Sequence, residues 1–555
     1  MSSMGHVASI TVAGRRLDSA YVLTAAIAIV VLMQLELVFS KSINWDEFFH
    51  FSSIHRHLQG RPVQWLQVPF VWLFSWVPSL PGDNITHIQL IRLLTLPFEL
   101  VTIGAIVAAA RRFAGVEAAL LCGLLYVSGG YVFLHAFALR ADMIAACLLT
   151  VALWIALCRP VRTLEVTAVI ALLILAFVST IKSVLYAPAF LGVAFARTEK
   201  PLHRWILVGV TAFVLAAGAL LLWCAPQLPA DGLSGLLRDV GMLGRNAAER
   251  MFSAGLFPQP EWFRGQLFRA PVLSVAVVLT FLFVVFKRDD TPRERALLLC
   301  LLLPLCTVAF YRNAFPYHFA FILPPAVIAT AAVAGPLLQR FGPILPALLV
   351  AIPGLMSLAE DRSVIERQRL IQIGLNEIFP TPVTYIDDCG ILGNFPRAVH
   401  HYTSGWALAN YRRLGQPTYS MAMQSEPVPL VLRDESILGS VCFDFLHRRA
   451  LLPEDDRAIR ENYIQHWGKA FVAGKQIAPG NEDQIFEIAV PGTYTVEGGS
   501  IVIDGRTYQE GNVIELSRGT HMATGNRPTK VTLRWGNHLH RPEYPWPKGL
   551  LFSDF

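Results

Sequence analysis

The sequence has 555 residues, of which 54% are hydrophobic and 15% charged, and its mean hydropathy is +0.48. This composition excludes an ordinary soluble globular protein and predicts a polytopic membrane protein with a soluble C-terminal part. The net charge of +6 requires no nucleic acid as a partner, because most basic residues before residue 360 lie in short loops between apolar runs, where membrane orientation places them.

Apolar runs near the length of a bilayer span recur up to residue 360. Their lengths predict an α-helical domain of about 11 transmembrane helices. We expect the first to be retained, because no small-residue cleavage site follows it. The predicted spans are 20–39, 88–110, 116–135, 141–158, 164–180, 183–196, 204–224, 270–287, 296–311, 315–335 and 341–358.

Basic residues in alternate loops predict the orientation. The positive-inside rule places these loops, and with them the N-terminus, in the cytoplasm. An odd number of spans then places the C-terminal part outside, in the periplasm of a bacterium, with 40–87 and 225–269 as long outer loops. The basic loops carry Arg111, Arg112, Arg159, Arg162, Arg197, Lys200, Arg204, Lys287, Arg288, Arg293, Arg295 and Arg340.

An acidic pair, Asp46-Glu47, lies where the first span is expected to meet water. Aromatic and cationic residues follow in helical spacing up to Gly60, which favours a helix in the membrane interface. A carboxylate there reaches both water and lipid headgroups, as a catalytic base would require. The alternative is that the pair only caps the helix, where acidic side chains favour the positive end of the dipole.

Three cations lie in very short outer connections, against the positive-inside trend: Arg140, Lys182 and Arg312. Ionisable residues at membrane depth are candidates for a functional site. Together they suit an anionic group such as a lipid phosphate. The alternative is that each cation merely extends to the headgroups.

The composition changes after residue 360. We predict an amphipathic helix over 361–379, a strand with a turn over 383–395 and a helix over 454–467. Alternating apolar and polar residues from 484 onward, punctuated by glycines, predict a small β-sandwich. The predicted domains are a transmembrane domain 1–360, an extracytoplasmic α/β segment 361–480 and a β-sandwich-like domain 481–555.

Cys389 and Cys442 fall in this C-terminal part. In an oxidising compartment they either form a disulfide or stay as two buried thiols, and the sequence leaves both open. Its Cys and His residues show no spacing typical of a metal site.

The chain resembles the GT-C class of membrane glycosyltransferases, especially the protein O-mannosyltransferase and lipid A aminoarabinose transferase branch. The resemblance covers roughly residues 15–360. The motifs that carry it are Asp46-Glu47 in the first outer loop, Arg92 in HIQLIRLL, ALRADMIAACLL at 138–149, STIKSVLYAPAF at 179–190 and FPYHFAFILPP at 315–325. One motif departs from the family, because Tyr317-His318 stands where the family has an aromatic pair of two tyrosines.

The resemblance implies inverting transfer of a sugar from a polyprenyl-phosphate donor to a glycan, lipid or protein acceptor. Asp46 would be the catalytic base, and Glu47 would position a sugar hydroxyl, the acceptor or a metal. The other roles it suggests are donor-phosphate binding by Lys182, Arg312, Arg140 and Arg92, and substrate binding by Asp142, His55, Tyr317 and His318. For Asp142, an ion pair with Arg140 is an equally weighted alternative to substrate binding.

No cofactor follows with certainty from the sequence. Some relatives use a divalent metal, so an ion near Asp46 stays open, although no ligand spacing defines it. A competing function is a lipid or solute transporter or flippase, which would need charges near mid-membrane and repeated halves. An inactive membrane scaffold is a third reading. Tyr463, Trp467 and Trp535 either bind acceptor glycan or fill the core of the C-terminal domain.

Overall fold

The computed structural model describes residues 9–12, 15–61, 63, 67–198, 220, 223–227, 232–252, 254–286, 291–387, 390–399, 405–433 and 451–552. The chain divides into two compact units. The helical unit comprises Met1–Ser40, Gln64–Leu73 and Gln89–Glu360, and the C-terminal unit comprises Lys41–Val63, Phe74–Ile88 and Asp361–Phe555. The segment that carries Asp46 therefore folds with the C-terminal residues. Cys389 and Cys442 lie outside the described residues.

The first 360 residues form mainly apolar helices. Helices that are apolar all round are typical of membrane spans, in which the backbone must satisfy its own hydrogen bonds. A hairpin of Ser9–Val12 and Arg15–Asp18 precedes them. The helices are Ser19–Ser40, Trp45–Leu58, Pro69–Phe74, Asn84–Ala110, Val116–Val127, Tyr131–His135, Ala141–Cys158, Thr163–Ser179, Ala187–Arg197, Gly232–Phe252, Pro260–Arg269, Pro271–Phe286, Pro292–Leu302, Pro316–Ala329, Ala331–Phe341 and Ile344–Ala359, with 3-10 turns at Val77–Ser79, Ile181–Tyr186, Ala225–Gln227 and Leu303–Ala309.

Among the described residues, three helices are long and apolar enough to cross a membrane: Ser19–Ser40, Asn84–Ala110 and Ala141–Cys158. The number rises to six if each of three bent helix pairs is one span. The predicted span 204–224 lies almost wholly outside the described residues. The membrane fold is thus confirmed, while the number of about 11 spans stays a prediction.

Two predicted spans are broken helices. The span expected at 315–335 is two helices bent by 78°. At the bend the Thr330 hydroxyl donates to the Val327 carbonyl at 2.6 Å, a back-bond that often bends helices. The span expected at 116–135 breaks after Val127, and the chain turns through Gly130 at φ 64°, a conformation that favours glycine.

Seven strands form one sheet in the described part of the C-terminal unit. Tyr385–Ile386, which confirms the strand predicted within 383–395, pairs in parallel with Leu430–Leu432, and the remaining pairs are antiparallel. The order is Val513–Leu516, Gly492–Glu497, Val531–Trp535, Ala470–Ile477, Leu430–Leu432 and Tyr385–Ile386, with Tyr463–Trp467 also paired to Ala470–Ile477. Helix Ser363–Ile378 precedes the sheet, as predicted, and the further helices are Gly405–Leu414, Thr418–Ser425 and Pro453–Asn462.

Four described strands form a second sheet, in the order Arg506–Tyr508, Ile501–Ile503, Gly519–Thr524 and Gln484–Ile488. One core holds side chains of both sheets, among them Phe486 and Ile503 from the second and Val496 and Leu533 from the first. Alternating burial in these strands explains the period of two in the sequence. The predicted β-sandwich is confirmed.

The helix predicted over 454–467 is wrong in its second half. Helix Pro453–Asn462 ends early, and Tyr463–Trp467 is a strand paired with Ala470–Ile477. Aromatic and β-branched residues in YIQHW favour a strand. Pairing with the next strand along the chain overrides the helical period of the preceding residues.

Two of the three aromatic residues considered for binding acceptor glycan are buried. Tyr463 donates its hydroxyl to the Val428 carbonyl at 2.7 Å, and Trp467 donates its indole N–H to the Tyr544 carbonyl at 2.9 Å. Trp535 is half-buried and donates to the Pro491 carbonyl at 3.3 Å. These aromatics fill the core or bond to the backbone, which favours the structural alternative for them.

Gly374 offers a test of this packing. A Cβ there would lie 2.5 Å from the Trp467 ring, so Gly374→Ala should lower the apparent melting temperature, at a cost of about 1–3 kcal/mol for overpacking. Gly104→Ala is the matched helical control, because no atom lies within 4 Å of its added Cβ. An equal effect of both changes on thermal unfolding in detergent would contradict the packing described.

Candidate active site

The helical unit brings together Arg140, Asp142, Lys182 and Tyr317. Arg140 is the N-cap of helix Ala141–Cys158, whose first turn contains Asp142, where a carboxylate is favoured by the helix dipole. Lys182 lies in the 3-10 turn Ile181–Tyr186, which the Thr180 side chain caps by accepting from the Lys182 N–H. Tyr317 opens helix Pro316–Ala329. We call these four residues the cation cluster.

Asp142 is the centre of the cation cluster. Its carboxylate accepts from Arg140 Nε at 3.0 Å and from the Lys182 ammonium. Both cations also lie over the Tyr317 ring, with Arg140 Cζ 3.3 Å and Lys182 Nζ 4.8 Å from its centroid. The aromatic face adds to their stabilisation. One carboxylate with two cations leaves a net positive charge, which favours binding of an anion.

His318 lies beside the cluster but inside the core. Its side chain is fully buried, with Nε2 3.2 Å from the Thr307 hydroxyl and the ring 4.7 Å from that of Tyr311. Its Nδ1 has no hydrogen-bond partner among the residues that the structure describes. His318, the residue at which the Tyr317-His318 motif departs from the resemblance, is therefore a core residue.

The remaining two predicted phosphate ligands lie in different surroundings. Arg312 is half-buried in the loop before Pro316; its N–H donates to the Met251 carbonyl at 2.8 Å. Arg92 is 1% exposed, donates to the Val38 carbonyl at 3.4 Å, and lies 5.7 Å from the Phe137 ring centroid. The contacts that the structure gives Arg92 are those of a buried residue that joins two helices.

In the C-terminal unit, helix Trp45–Leu58 carries the acidic pair. Asn44 caps this helix: its side chain accepts from the Asp46 N–H at 2.8 Å, and its own N–H donates to Glu47 Oε2 at 3.2 Å. This is a capping box. Glu47 is 2% exposed, whereas Asp46 is half-buried. Glu47 therefore caps the helix, as the alternative reading of the pair predicted. Asp46 is the more exposed carboxylate of the two.

Gln368 holds the start of this helix. Its side-chain amide accepts from the Ile43 N–H at 3.0 Å and donates to the Ile43 carbonyl at 2.8 Å. It also donates to the Leu551 carbonyl at 2.7 Å, and Gln368 is fully buried. Because buried backbone groups must be paired, this one side chain positions the residues just before Asp46.

The opposite end of the helix packs on the residues after strand Tyr385–Ile386. The Phe51 ring packs against Gly393. A Cβ added at Gly393 would lie only 2.7 Å from that ring, so a glycine at this position permits the close contact. The His55 and Phe51 rings make an edge-to-face contact, with 4.8 Å between their centroids. Burial, and then the neighbouring His87, lower the pKa of His55 to about 4. His55 is therefore neutral at neutral pH.

The surroundings of Asp46 do not fit a metal ion. Across the described residues, no group of three or more His, Cys, Asp or Glu side chains could hold one. The Glu47 carboxylate accepts from the Asn44 N–H in the helix cap. We therefore derive no step through a metal.

Sequence reasoning missed several polar residues that tertiary contacts hold in place. Gln368 and Arg397 act through tertiary contacts that no local pattern indicates. Glu99, in the middle of helix Asn84–Ala110, is buried and accepts from Gln34 Nε2 at 3.0 Å. An acidic residue inside an apolar span is itself a signal, and it could have identified Glu99.

The pKa of His55 predicts acid sensitivity. The folded state stays unprotonated at His55 down to about pH 4, whereas an unfolded histidine takes up a proton near 6.5. Stability is therefore fully present above pH ~6.5 and falls as the pH decreases towards ~4, by up to about 3 kcal/mol. His55→Phe keeps the ring contact and should flatten this part of the curve of melting temperature against pH. An unchanged slope would contradict the assignment.

Comparison with solved structures identifies the fold. The oligosaccharyltransferase AglB from Archaeoglobus fulgidus, solved with an inhibitory peptide and a dolichol-phosphate, aligns with a TM-score of 0.50 at 10% identity, over 94% of this chain and 97% of that chain. The same archaeon's oligosaccharyltransferase with Zn and sulfate has a TM-score of 0.42, 11% identity and coverages of 94% and 98%. ArnT from Cupriavidus metallidurans bound to undecaprenyl phosphate has a TM-score of 0.34, 14% identity and coverages of 64% and 70%.

Comparisons with protein-family models and with curated protein sequences found no match. The similarity to AglB extends over nearly the whole chain, and it concerns the fold. AglB is a GT-C glycosyltransferase. The chain has the GT-C membrane fold with a C-terminal domain, as the sequence motifs predicted.

Proposed function

We propose that this protein transfers a sugar, with inversion, from a polyprenyl-phosphate donor to an acceptor at the outer face of a bacterial inner membrane. The observation that carries the proposal is the cation cluster, a net positive site at the ends of apolar helices. The GT-C fold shared with AglB supports it. The acceptor is a glycan, a lipid or a protein.

On the donor side, Lys182 and Arg140 bind the phosphate. Asp142 orients both cations through its two carboxylate oxygens, and it thereby takes the ion-pair role that the sequence left open. Tyr317 supports them from the ring face. Arg312 completes the phosphate contacts, and Arg92 acts as a positioning residue between helices. Cations at this place stabilise the negative charge that develops on the leaving phosphate.

On the acceptor side, Asp46 is the general base. The acceptor hydroxyl attacks the anomeric carbon, its proton passes to the Asp46 carboxylate, and the bond between the anomeric carbon and the phosphate oxygen breaks with its electrons on the phosphate. Attack opposite the leaving group inverts the configuration. Lipid phosphate leaves readily, so a second carboxylic acid is unnecessary. Glu47 positions Asp46 through the helix cap, and His55, neutral, contacts the sugar.

The proposed topology has the N-terminus in the cytoplasm and the C-terminal domain in the periplasm. The basic loops between predicted spans support this orientation. We retain 1–360 as the catalytic membrane domain with outer loops 40–87 and 225–269, followed by segments 361–480 and 481–555. Strands from both of the last two segments share one sheet.

Transport is the second candidate function, and one observation favours it. Glu99 is an ionisable group buried within an apolar helix and bonded to Gln34 of another helix, as polar groups of transport pathways often are. A transferase cleaves a radiolabelled donor and releases polyprenyl phosphate. A transporter returns the donor intact, so thin-layer analysis of the lipid products separates the two.

The phosphate clamp can be tested by removing its charge. Lys182→Met and Arg312→Gln should each lower donor turnover about ten- to hundredfold, because a charge-assisted contact is worth about 1.5–3 kcal/mol. Arg162→Gln, in a predicted cytoplasmic loop, is the control and should leave turnover unchanged. Small, equal effects at all three positions would show that the cations only extend to the headgroups.

Asp46→Asn tests the base. The change preserves size and the helix cap, which uses the backbone N–H of Asp46, but removes proton acceptance. Release of polyprenyl phosphate, measured with an envelope fraction as acceptor source, should fall about 10²–10⁴-fold while the donor still binds. Glu47→Gln should have a milder effect, because glutamine also serves in a capping box. Near-normal turnover of Asp46→Asn would refute the assignment.

A further inference from the structure

A pocket in the C-terminal unit is lined by three arginines. Its walls are formed by Phe49, Ser52, Ser53, Arg56, Arg61 and Arg397, and we call it the arginine pocket. No role assigned above uses these arginines. They lie outside the predicted spans.

Helical geometry explains how the sequence builds one wall. Phe49, Ser53 and Arg56 follow one another at spacings of four and three, so they lie on one face of helix Trp45–Leu58. Asp46 precedes Phe49 by three residues and lies on the same face. Arg61 follows the helix end, and Arg397 comes from the chain after strand Tyr385–Ile386.

Two carboxylates pair with arginines of the arginine pocket. Asp387 pairs with Arg397 at 3.2 Å, and Glu426 lies 3.7 Å from Arg61. The second pair is one-third exposed on both sides, and such pairs contribute little. Burial, and then the charges of Arg61 and Arg397, lower the pKa of Arg56, so the three guanidinium groups repel one another.

Arg397 is the most informative wall residue. Its side chain is 9% exposed, and its Nη1 donates to the Ser52 hydroxyl at 3.4 Å. Its Nη2 is buried without a hydrogen-bond partner among the described residues. An unpaired buried donor is costly, and an anion in the pocket would supply the missing acceptor.

We propose that the arginine pocket binds a phosphate group of the acceptor. A phosphate offers several acceptor oxygens and up to two negative charges, which suits convergent guanidinium groups better than a single carboxylate does. The inference rests on the proposed function, because it takes Asp46 as the base. Arg56 lies ten residues along the same helix, or roughly 15 Å. The acceptor would therefore carry a phosphate roughly 10–15 Å from the hydroxyl that is glycosylated.

Binding can be measured without turnover. Inorganic phosphate, glucose 6-phosphate and dihexanoyl phosphatidic acid are titrated calorimetrically into the purified full chain at constant ionic strength. Glucose 6-phosphate should bind saturably and at least as tightly as inorganic phosphate. Arg56→Gln and Arg61→Gln should each weaken it about ten- to hundredfold, whereas Arg518→Gln, an exposed arginine of the β-sandwich, should not.

Each contrary outcome has a distinct meaning. Unchanged binding in Arg56→Gln and Arg61→Gln, with folding shown by an unchanged melting temperature, would overturn the site. Tighter binding of phosphatidic acid than of glucose 6-phosphate would overturn a glycan phosphate as the ligand and indicate a lipid phosphate. Asp46→Asn should retain phosphate binding; if it also retained transfer, the assignment of Asp46 as the base would fail while the phosphate site stood.

Discussion

The ion pairs that Asp142 forms with Arg140 and Lys182 define the charged end of the helical unit. A charge removed from water is tolerated only when it is paired and hydrogen-bonded. One carboxylate therefore fixes the positions of a helix N-terminus and a 3-10 turn, and the Tyr317 ring adds the start of a third element. Apolar packing of the helices holds these elements in place.

The C-terminal unit depends on a different kind of contact. The buried side-chain amide of Gln368 bonds to backbone groups of Ile43 and Leu551, which are far apart in the chain. Asn44 and Glu47 close the first turn of helix Trp45–Leu58. This arrangement leaves Asp46 nearer the surface than its neighbour. The same helix presents an aromatic and cationic face at its far end, where the arginine pocket forms.

Local patterns were sufficient for much of the fold. The strands after residue 484 follow from alternation, because each sheet has one face in a shared core. The end of the helix before Tyr463 could not be predicted from residues 454–467 alone, because strand pairing with Ala470–Ile477 decides it. The bend at Thr330 coincides with a hydroxyl bond to the Val327 carbonyl, which hydrophobic periodicity does not indicate.

For the candidate site, the sequence identified the acidic pair and most of the cations, because charged residues at the ends of apolar runs are conspicuous. It could not divide the pair into a capping residue and a half-buried one, nor join Arg140 to Lys182, nor find Arg397 and Gln368. Those properties depend on which side chains approach one another across long separations in the chain. Residue type and spacing determine which groups a segment offers, and packing determines which of them are buried, paired or left facing a pocket.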